Sequence, residues 1–460
     1  MSTTWELSPA RIGLLLAAAA FAAIWWSPLP LEPEAHRLAA VFGAIVVLWI
    51  SEALPIAVTA LLIAPAMIAT GVCDARAAFA PYADPLLFLF VGGFFIARSM
   101  ARHGLDRRIA RAVVGGRWVA GRPARIRLAF MFAGVLLSMW ISNTASTAIL
   151  VPILLGAADE EAGGDVLAVA YACSLGGLGT LVGSPPNLIT ARMLDEAGHP
   201  FGFVDWMAIG LPTALLLTLM VFFLMQRLAP PKAIMSDGGE KRRPWSRGEK
   251  VTALAFGLAV VGWMVPGLLK AGGLEIGRTL SAALPGGSVA LLAASVLFVF
   301  TDTEGERVLP WNEAVKIDWG IIMLFGGGLA LGKQMVETGL AEAMGRGFVA
   351  ATGITELWIL TIVVTVFTIF FTEVCSNTAS ANMIVPLVIA VAVEMDVNPV
   401  PPTLAVGLAA SCAFMLPIAT GPNAIAYGTG TVTQRTMMRT GLWLNLTSAA
   451  VIVVVVFLLA

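Results

Sequence analysis

Two Ser-Asn-Thr triplets, Ser142-Asn143-Thr144 and Ser376-Asn377-Thr378, each interrupt a long apolar stretch. A polar break in an apolar helix ends one arm, which leaves carbonyl oxygens free. It also begins another arm, which offers N–H groups and the positive end of a helix dipole. Those N–H groups suit a carboxylate. The carbonyls, with Ser and Asn side-chain oxygens, suit a small hard cation such as Na⁺. About forty residues after each triplet comes a second kind of break, Gly183-Ser184-Pro185-Pro186-Asn187 and Ala419-Thr420-Gly421-Pro422-Asn423. Proline lacks an N–H and cannot continue the preceding helix, while glycine allows a sharp turn, so carbonyls are again freed. Neither tip nor loop contains Lys or Arg. A desolvated dianion held there needs compensation, and bound cations would supply it, which makes coupling a consequence of the electrostatics. A single Ser-Asn-Thr is as much an N-cap as a ligand; two copies, each followed by a Pro-Asn break, are a stronger signal.

The remaining chemistry-bearing residues point elsewhere. Glu373 is the one acid within a few residues of a tip, and its counterpart in the first triplet region is Met139. It reads either as a proton or cation site, as intramembrane carboxylates do by default, or as a structural hydrogen-bond partner. Cys73, Cys173, Cys375 and Cys412 stand far apart, and His36, His103 and His199 cluster neither with them nor with each other. Disulfide frameworks, zinc sites and redox motifs are therefore not expected. Ser142 and Ser376 have no His or Lys near them in sequence, so no nucleophile–base–orienter set supports an enzyme, and no organic cofactor is expected. Trp25, Trp26, Trp140 and Trp206 read as interface anchors or packing rather than a substrate cage.

The elements that must hold these breaks are membrane helices. Hydrophobic residues make up 58% of the 460-residue chain and charged residues 12%, which no ordinary soluble fold accommodates. The net charge of −1 gives no basic excess for nucleic acid. A span needs roughly 20 mostly apolar residues. Spans are expected near 11–29, 37–53, 55–72, 85–100, 164–195 (broken), 206–226, 251–270, 284–300, 318–335, 402–430 (broken) and 440–460, eleven in all. The stretches 126–157 and 357–394 are too long for one crossing, and each reads as a re-entrant helical hairpin with a Ser-Asn-Thr tip. The run from Ile12 to Trp26 is a first membrane helix rather than a signal peptide, because many apolar segments follow it.

Basic residues crowd segment 101–127, with Arg102, Arg107, Arg108, Arg111, Arg117, Arg122, Arg125 and Arg127, and segment 227–250, with Arg227, Lys232, Lys241, Arg242, Arg243, Arg247 and Lys250. Both read as topology signals and lipid-headgroup contacts, placing the N-terminus in the cytoplasm and the C-terminus outside a cell inner (plasma) membrane. The acidic run Asp159-Glu160-Glu161 reads as a solvated connection. The two halves also match each other. Gly92 aligns with Gly327 at a shift of 235, Ser142 with Ser376 at 234, Pro152 with Pro386 at 234 and Asn187 with Asn423 at 236. The copies start on opposite sides of the membrane, so the repeat is inverted, a pattern that points to a secondary transporter with its site at the midplane. The expected organisation is an N-terminal helix over 1–36, a first repeat over 37–226, a cytoplasmic linker over 227–250 and a second repeat over 251–460.

Paired Ser-Asn-Thr tips with Pro-Asn loops at 185–187 and 422–423 resemble the divalent anion/sodium symporter family of dicarboxylate and citrate carriers. The resemblance implies an all-α homodimer in the lipid bilayer, its scaffold helices fixed while a transport domain moves as an elevator. It implies symport of a small dianion of the succinate, malate or fumarate class with Na⁺. Alternatives within the same fold are a sodium-independent exchanger, a sulfate or citrate carrier, and a sodium–proton antiporter or arsenite permease. By motif position it implies one sodium site from Ser138, Ser142, Asn143 and the backbone at Gly183. A second would come from Thr372, Asn377 and the backbone at Cys375 and Ala419. Asn143, Thr144, Asn377 and Thr378 would meet the substrate, with Ser184 and Thr420 nearby. Ser184 stands where the family often has Thr, and Gly421 replaces the first of two prolines, so the resemblance implies a different shape on that side of the pocket.

Overall fold

The computed structural model describes residues 8–114, 122–156, 162–231 and 244–460. Arg117, Asp159-Glu160-Glu161, Lys232, Lys241, Arg242 and Arg243 lie outside the described residues, as do positions 1–7 of the first helix segment. Apart from one isolated bridge between Thr301 and Arg307, every regular element among the described residues is helical. The chain opens with α1 (Pro9–Trp25), α2 (Pro33–Ser51), α3 (Ile56–Ala69), the short α4 (Ala75–Phe79), α5 (Leu87–His103) and α6 (Leu105–Val114). Next come the hairpin arms α7 (Pro123–Ser138) and α8 (Asn143–Gly156), then the broken pair α9 (Gly163–Gly176) and α10 (Pro185–Glu196). Beyond them run α11 (Phe203–Leu228), α12 (Arg247–Ala271), α13 (Glu275–Ala283), α14 (Gly286–Val299), α15 (Trp311–Ala314), α16 (Trp319–Glu337) and α17 (Leu340–Thr352). The second hairpin is α18 (Leu357–Phe371) and α19 (Asn377–Glu394), the second broken pair is α20 (Val400–Ala409) and α21 (Gly421–Gly428), and α22 (Gln434–Leu459) closes the chain.

Among the described residues seven helices are long and apolar enough to cross a membrane, or nine if each sharply bent pair counts as one span. The other crossings read from the sequence fall on shorter helices, such as the 17 residues of α1 and the 14 of α3, and on the broken pairs. Several short helices lie where the sequence reading placed connections. α6 and α17 follow α5 and α16, and α17 meets α18 at 101°. Their alternating charged and apolar residues form a narrow apolar stripe, too short for a hydropathy reading to register as a span.

Local chemistry sets the boundaries. α12 begins with a reciprocal capping box in which Ser246 Oγ accepts from the Glu249 N–H at 3.1 Å while Glu249 accepts from the Ser246 N–H at 2.7 Å. α5 stops at Gly104, whose φ of 74° is a left-handed C-terminal cap. Burial separates two kinds of helix. Asp165 to Gly176 of α9 and Pro401 to Ala409 of α20 are buried throughout, whereas α12 turns Leu254, Leu258 and Val261 outward as an apolar face fit for lipid. The halves interlock, since α10 packs on α19 and α20, α21 packs on α8 and α9, and α11 packs on α22.

Several basic residues of the 101–127 segment have acidic partners. Arg127 is wholly buried, pairs with Asp165 and donates to the Ala229 carbonyl at 2.8 Å, so it ties α7 to α9 and the end of α11. Arg108 makes a two-pronged pair with Glu249 at 2.7 and 3.0 Å and lies 5.0 Å from the Trp245 ring. Arg98 and Lys316 both reach Glu313 at 2.6 Å. Lys316 first, and then Arg98, hold the Glu313 carboxyl down to about 2, so this anchor of α5 stays charged at ordinary pH.

Candidate functional site

A cavity of about 240 Å³ lies where both hairpin tips and both Pro-Asn loops meet. Ser142, Asn143, Thr144, Asn377 and Thr378 line it from the tips, and Gly183, Ser184, Ala419 and Thr420 line it from the loops. Ser138, Thr372 and Cys375 are not on its wall; they stand behind it, buried. The rest of the wall is apolar, with Phe90 and Phe94 from α5, Ile321 from α16, and Trp140, Val182, Pro185 and Pro422 near the breaks. No charged side chain lines the cavity among the described residues. The Gly92/Gly327 match had marked α5 and α16 as related elements without giving them a place at the site.

The tips are built alike. Ser138 Oγ donates to Asn143 Oδ1 at 2.5 Å, and Thr372 Oγ1 donates to Asn377 Oδ1 at 2.9 Å. Ser138 spends its proton on the asparagine, and Thr372 shares its single proton between Asn377 and the Ala410 carbonyl, so the hydroxyl lone pairs and one on each amide oxygen stay available to a cation. Ser142 Oγ accepts from the Ala145 N–H at 3.3 Å and Ser376 Oγ from the Ala379 N–H at 3.2 Å. Both serines are therefore N-caps of the second arms, one lone pair committed and one remaining. Capping and ligation, posed as rivals from the tripeptide, are compatible in one hydroxyl.

The loops are held by their asparagines. Asn187 Nδ2 donates to the carbonyls of Gly177 and Thr180, both at 2.7 Å, and Asn423 Nδ2 donates to those of Ala413 and Leu416, both at 3.0 Å. Every member of the second set lies 236 residues after its partner in the first. Buried amides that saturate two carbonyls each fix the shape of backbone that helical hydrogen bonds no longer fix. Trp206, read from the sequence as an anchor or packing residue, is buried and donates from Nε1 to the Leu178 carbonyl at 2.8 Å, beside the same unwound turn. Trp140 stacks on Trp263 with ring centroids 6.4 Å apart and also borders the cavity. Ser184 Oγ, expected near the substrate, lies 3.0 Å from Ser411 Oγ, and Thr420 Oγ1 caps α21 through the Asn423 N–H at 3.2 Å.

Glu373 has a set of partners that sequence could not supply. Its carboxylate accepts from the backbone N–H groups of Phe414 at 2.7 Å, Met415 at 2.8 Å and Leu416 at 3.1 Å, and from Asn445 Nδ2 at 2.8 Å. Those three N–H groups belong to the unwound stretch between α20 and α21, where no helical acceptor reaches them. One side chain thus joins tip two, its loop and α22.

The model of the citrate transporter family matches residues 46–407. The chain belongs to that family. A sodium-dependent dicarboxylate transporter, SdcS, of Staphylococcus saprophyticus is 35% identical over 440 residues, covering 89% of this chain and 83% of the relative. Its namesake in Staphylococcus aureus is 32% identical over 478 residues, covering 97% and 90%. A transporter of Haemophilus influenzae without an assigned substrate is 35% identical over 437 residues, covering 92% of each chain. These relatives bear out the likeness to the divalent anion/sodium symporters. The chain is a multi-pass membrane transporter and not an enzyme. The YdaH transporter of Alcanivorax borkumensis, described as having an unusual topology, superposes with a TM-score of 0.56 over 97% of this chain and 96% of its own at 15% identity, a likeness of fold alone.

Proposed function

We propose that this chain is a sodium-coupled symporter of small dicarboxylates, taking the dianion at the cavity between its two hairpin tips. The observation that carries the reading is a site for charge without charged walls. Two helix N-termini, at Asn143 and Asn377, reach one cavity lined by neutral oxygens and apolar side chains. Helix ends favour anions but by modest amounts, so a desolvated dianion requires cations bound close by. Ser138, Ser142, Asn143 and the Gly183 carbonyl form the first sodium site in this reading. Thr372, Asn377 and the Cys375 and Ala419 carbonyls form the second. Asn143, Thr144, Asn377 and Thr378, with Ser184 and Thr420 nearby on the wall, meet the two carboxylates. The names of the staphylococcal relatives support both the dianion and the sodium.

The recurrence of hydrogen bonds at offsets of 234 and 236 supports two structural repeats, 37–226 and 251–460, inverted about the site and joined by 227–250. In this proposal eleven crossings place the N-terminus in the cytoplasm and the C-terminus outside, two copies form a homodimer, and the hairpins with their broken helices move as one elevator body. The buried, mutually packed α10, α19 and α20, and the buried α9 packed on α7, α8 and α21, suit such a body. Glu373, the residue a proton-coupled alternative would use, has its oxygens engaged by four donors, which favours sodium coupling. Uptake of labelled succinate into proteoliposomes tests the reading directly. Uptake should require Na⁺ and fall to background in K⁺ or choline; equal uptake in all three overturns sodium coupling.

A further inference from the structure

The two loops differ at three matched positions on the cavity wall, Gly183 against Ala419, Ser184 against Thr420 and Pro185 against Gly421, and only the last takes a side chain away from the second loop. Pro185 follows Ser184 in the first, and Gly421 follows Thr420 in the second. A Cβ placed on Gly421 would lie 2.1 Å from Thr144 Oγ1, 2.8 Å from its Cγ2 and 2.9 Å from its Cβ. All three side-chain atoms of Thr144 are that close, so turning the side chain only exchanges one overlap for another, and a β-branched residue has few rotamers to try. Any side chain at 421 must instead move tip one away from loop two. Thr144 and Gly421 both line the cavity, and α8 packs on α21 there. The missing side chain at 421 is what lets tip one seat against the loop of the other half.

We propose that Gly421 is a specificity-determining residue that gauges the site. By receiving Thr144, it sets the separation between tip one and loop two, and so biases the cavity toward the shorter members of a series of straight-chain dicarboxylates. The inference rests on the symport reading above and adds to it the residue pair that measures substrate length. Close packing makes such a gauge sensitive, because interiors have no slack to absorb an added methyl group.

The test uses the full-length protein in proteoliposomes with Na⁺, measuring how succinate, glutarate and adipate compete with labelled succinate. Gly421→Ala should weaken succinate by about tenfold, in line with the cost of a sub-ångström to one-ångström misplacement of binding groups. It should weaken glutarate and adipate less, so that the preference moves toward the longer anions. Thr144→Gly weakens succinate on its own by losing a hydroxyl, and because it removes all three overlapping atoms, adding Gly421→Ala to it should move the preference no further. Equal weakening across the series, or effects of the two substitutions that simply add, would overturn the gauge. If Gly421→Ala alone does not give folded protein, Thr144→Gly compared with the double variant decides, because no side-chain atom of residue 144 then remains to be cleared. The same length preference in both supports the proposal, and a further shift in the double variant rejects it. Absence of sodium-dependent succinate uptake by the unsubstituted protein would instead reject the symport reading, before any variant is made.

Discussion

At tip one Ser138 donates to Asn143, and at tip two Thr372 donates to Asn377, yet what stands behind each pair differs. Behind tip one the unwound turn begins at Gly177 and runs to Gly183; the positions 236 residues later are Ala413 and Ala419. Asn143 lies against the bare Cα of Gly177, where a Cβ would sit 2.6 Å from Asn143 Oδ1. Behind tip two the freed N–H groups of Phe414, Met415 and Leu416 are gathered by Glu373. At the matching position tip one has Met139, whose side chain can gather nothing; there Thr180 Oγ1 donates to the Met139 carbonyl at 2.5 Å. The atoms aimed at the cavity are nearly duplicated while their supports are not. What the two halves hold in common is therefore the geometry of the polar atoms at the cavity, not the packing that produces it.

The largest effect that would break this comparison is expected at Glu373. Glu373→Met makes tip two resemble tip one but leaves three backbone N–H groups and the Asn445 amide without their acceptor. At about 1–3 kcal/mol for each buried group left unpaired, the loss is on the order of several kcal/mol. The melting temperature of the purified protein should fall steeply, and Met139→Leu, which keeps the buried volume at the matching position, should cost far less. Unfolding of membrane proteins is often irreversible, so the two variants are compared at one scan rate. A Glu373→Met protein that melts with the parent would mean the carboxylate supports nothing.

Next in size are the asparagines that the halves share. Asn143→Ala and Asn377→Ala should each lower sodium-dependent succinate uptake roughly 10- to 100-fold, the factor for the about 1.5–3 kcal/mol of a hydrogen bond to a charged partner. Protein stability should change little in comparison. Loss of uptake at one tip only would show that the second is a structural echo. Gly177→Ala sharpens the contrast further. The new Cβ pushes on Asn143, and the sodium concentration for half-maximal uptake should rise about tenfold, as for other small displacements of ligating groups. Ala413→Gly relieves nothing at tip two and should stay within about twofold, the ordinary effect of a mild change away from a clash. Equal effects would dissolve the distinction between the two supports.

Much of this was legible beforehand, for identifiable reasons. Hydropathy and length located the helices because crossing a bilayer demands them, and a polar triplet inside such a run has few uses besides a break beside a cavity. The polar wall, from Ser142 to Thr144 and from Asn377 to Thr378, could therefore be read from one sequence. The apolar wall could not. Phe90, Phe94 and Ile321 are indistinguishable in sequence from the lipid-facing and core residues around them, and only packing of α5 and α16 against the breaks selects them. Glu373 was legible as either a proton or cation site or a structural hydrogen-bond partner, and the sequence could not choose between them, since its donors lie about forty residues away in backbone that carries no side-chain signature. Arg127 misled in the opposite direction. It sits in a basic segment and reads as a loop charge, whereas Asp165, across the intervening hairpin, draws it into a buried pair.

The smallest expected effects come from exchanging the two hydroxyl donors, and they ask how far the supports differ close to the tips. Thr372→Ser keeps the hydroxyl that reaches Asn377 and also donates to the Ala410 carbonyl at 3.0 Å, and it removes one buried methyl group. A deletion of that size costs about 0.5–1.5 kcal/mol in stability and should leave the sodium dependence of uptake within about threefold. Ser138→Thr adds a methyl where α7 runs close to α9, since a Cβ on Gly176 would lie 3.0 Å from Ser138 Cβ and 2.6 Å from Val135 Cα. That narrow crossing has no room for the larger donor, so Ser138→Thr should impair uptake more than Thr372→Ser despite being the gentler change on paper. The reverse order would place the tighter packing behind tip two, and the contrast between a glycine-backed tip and a carboxylate-backed tip would have to be redrawn.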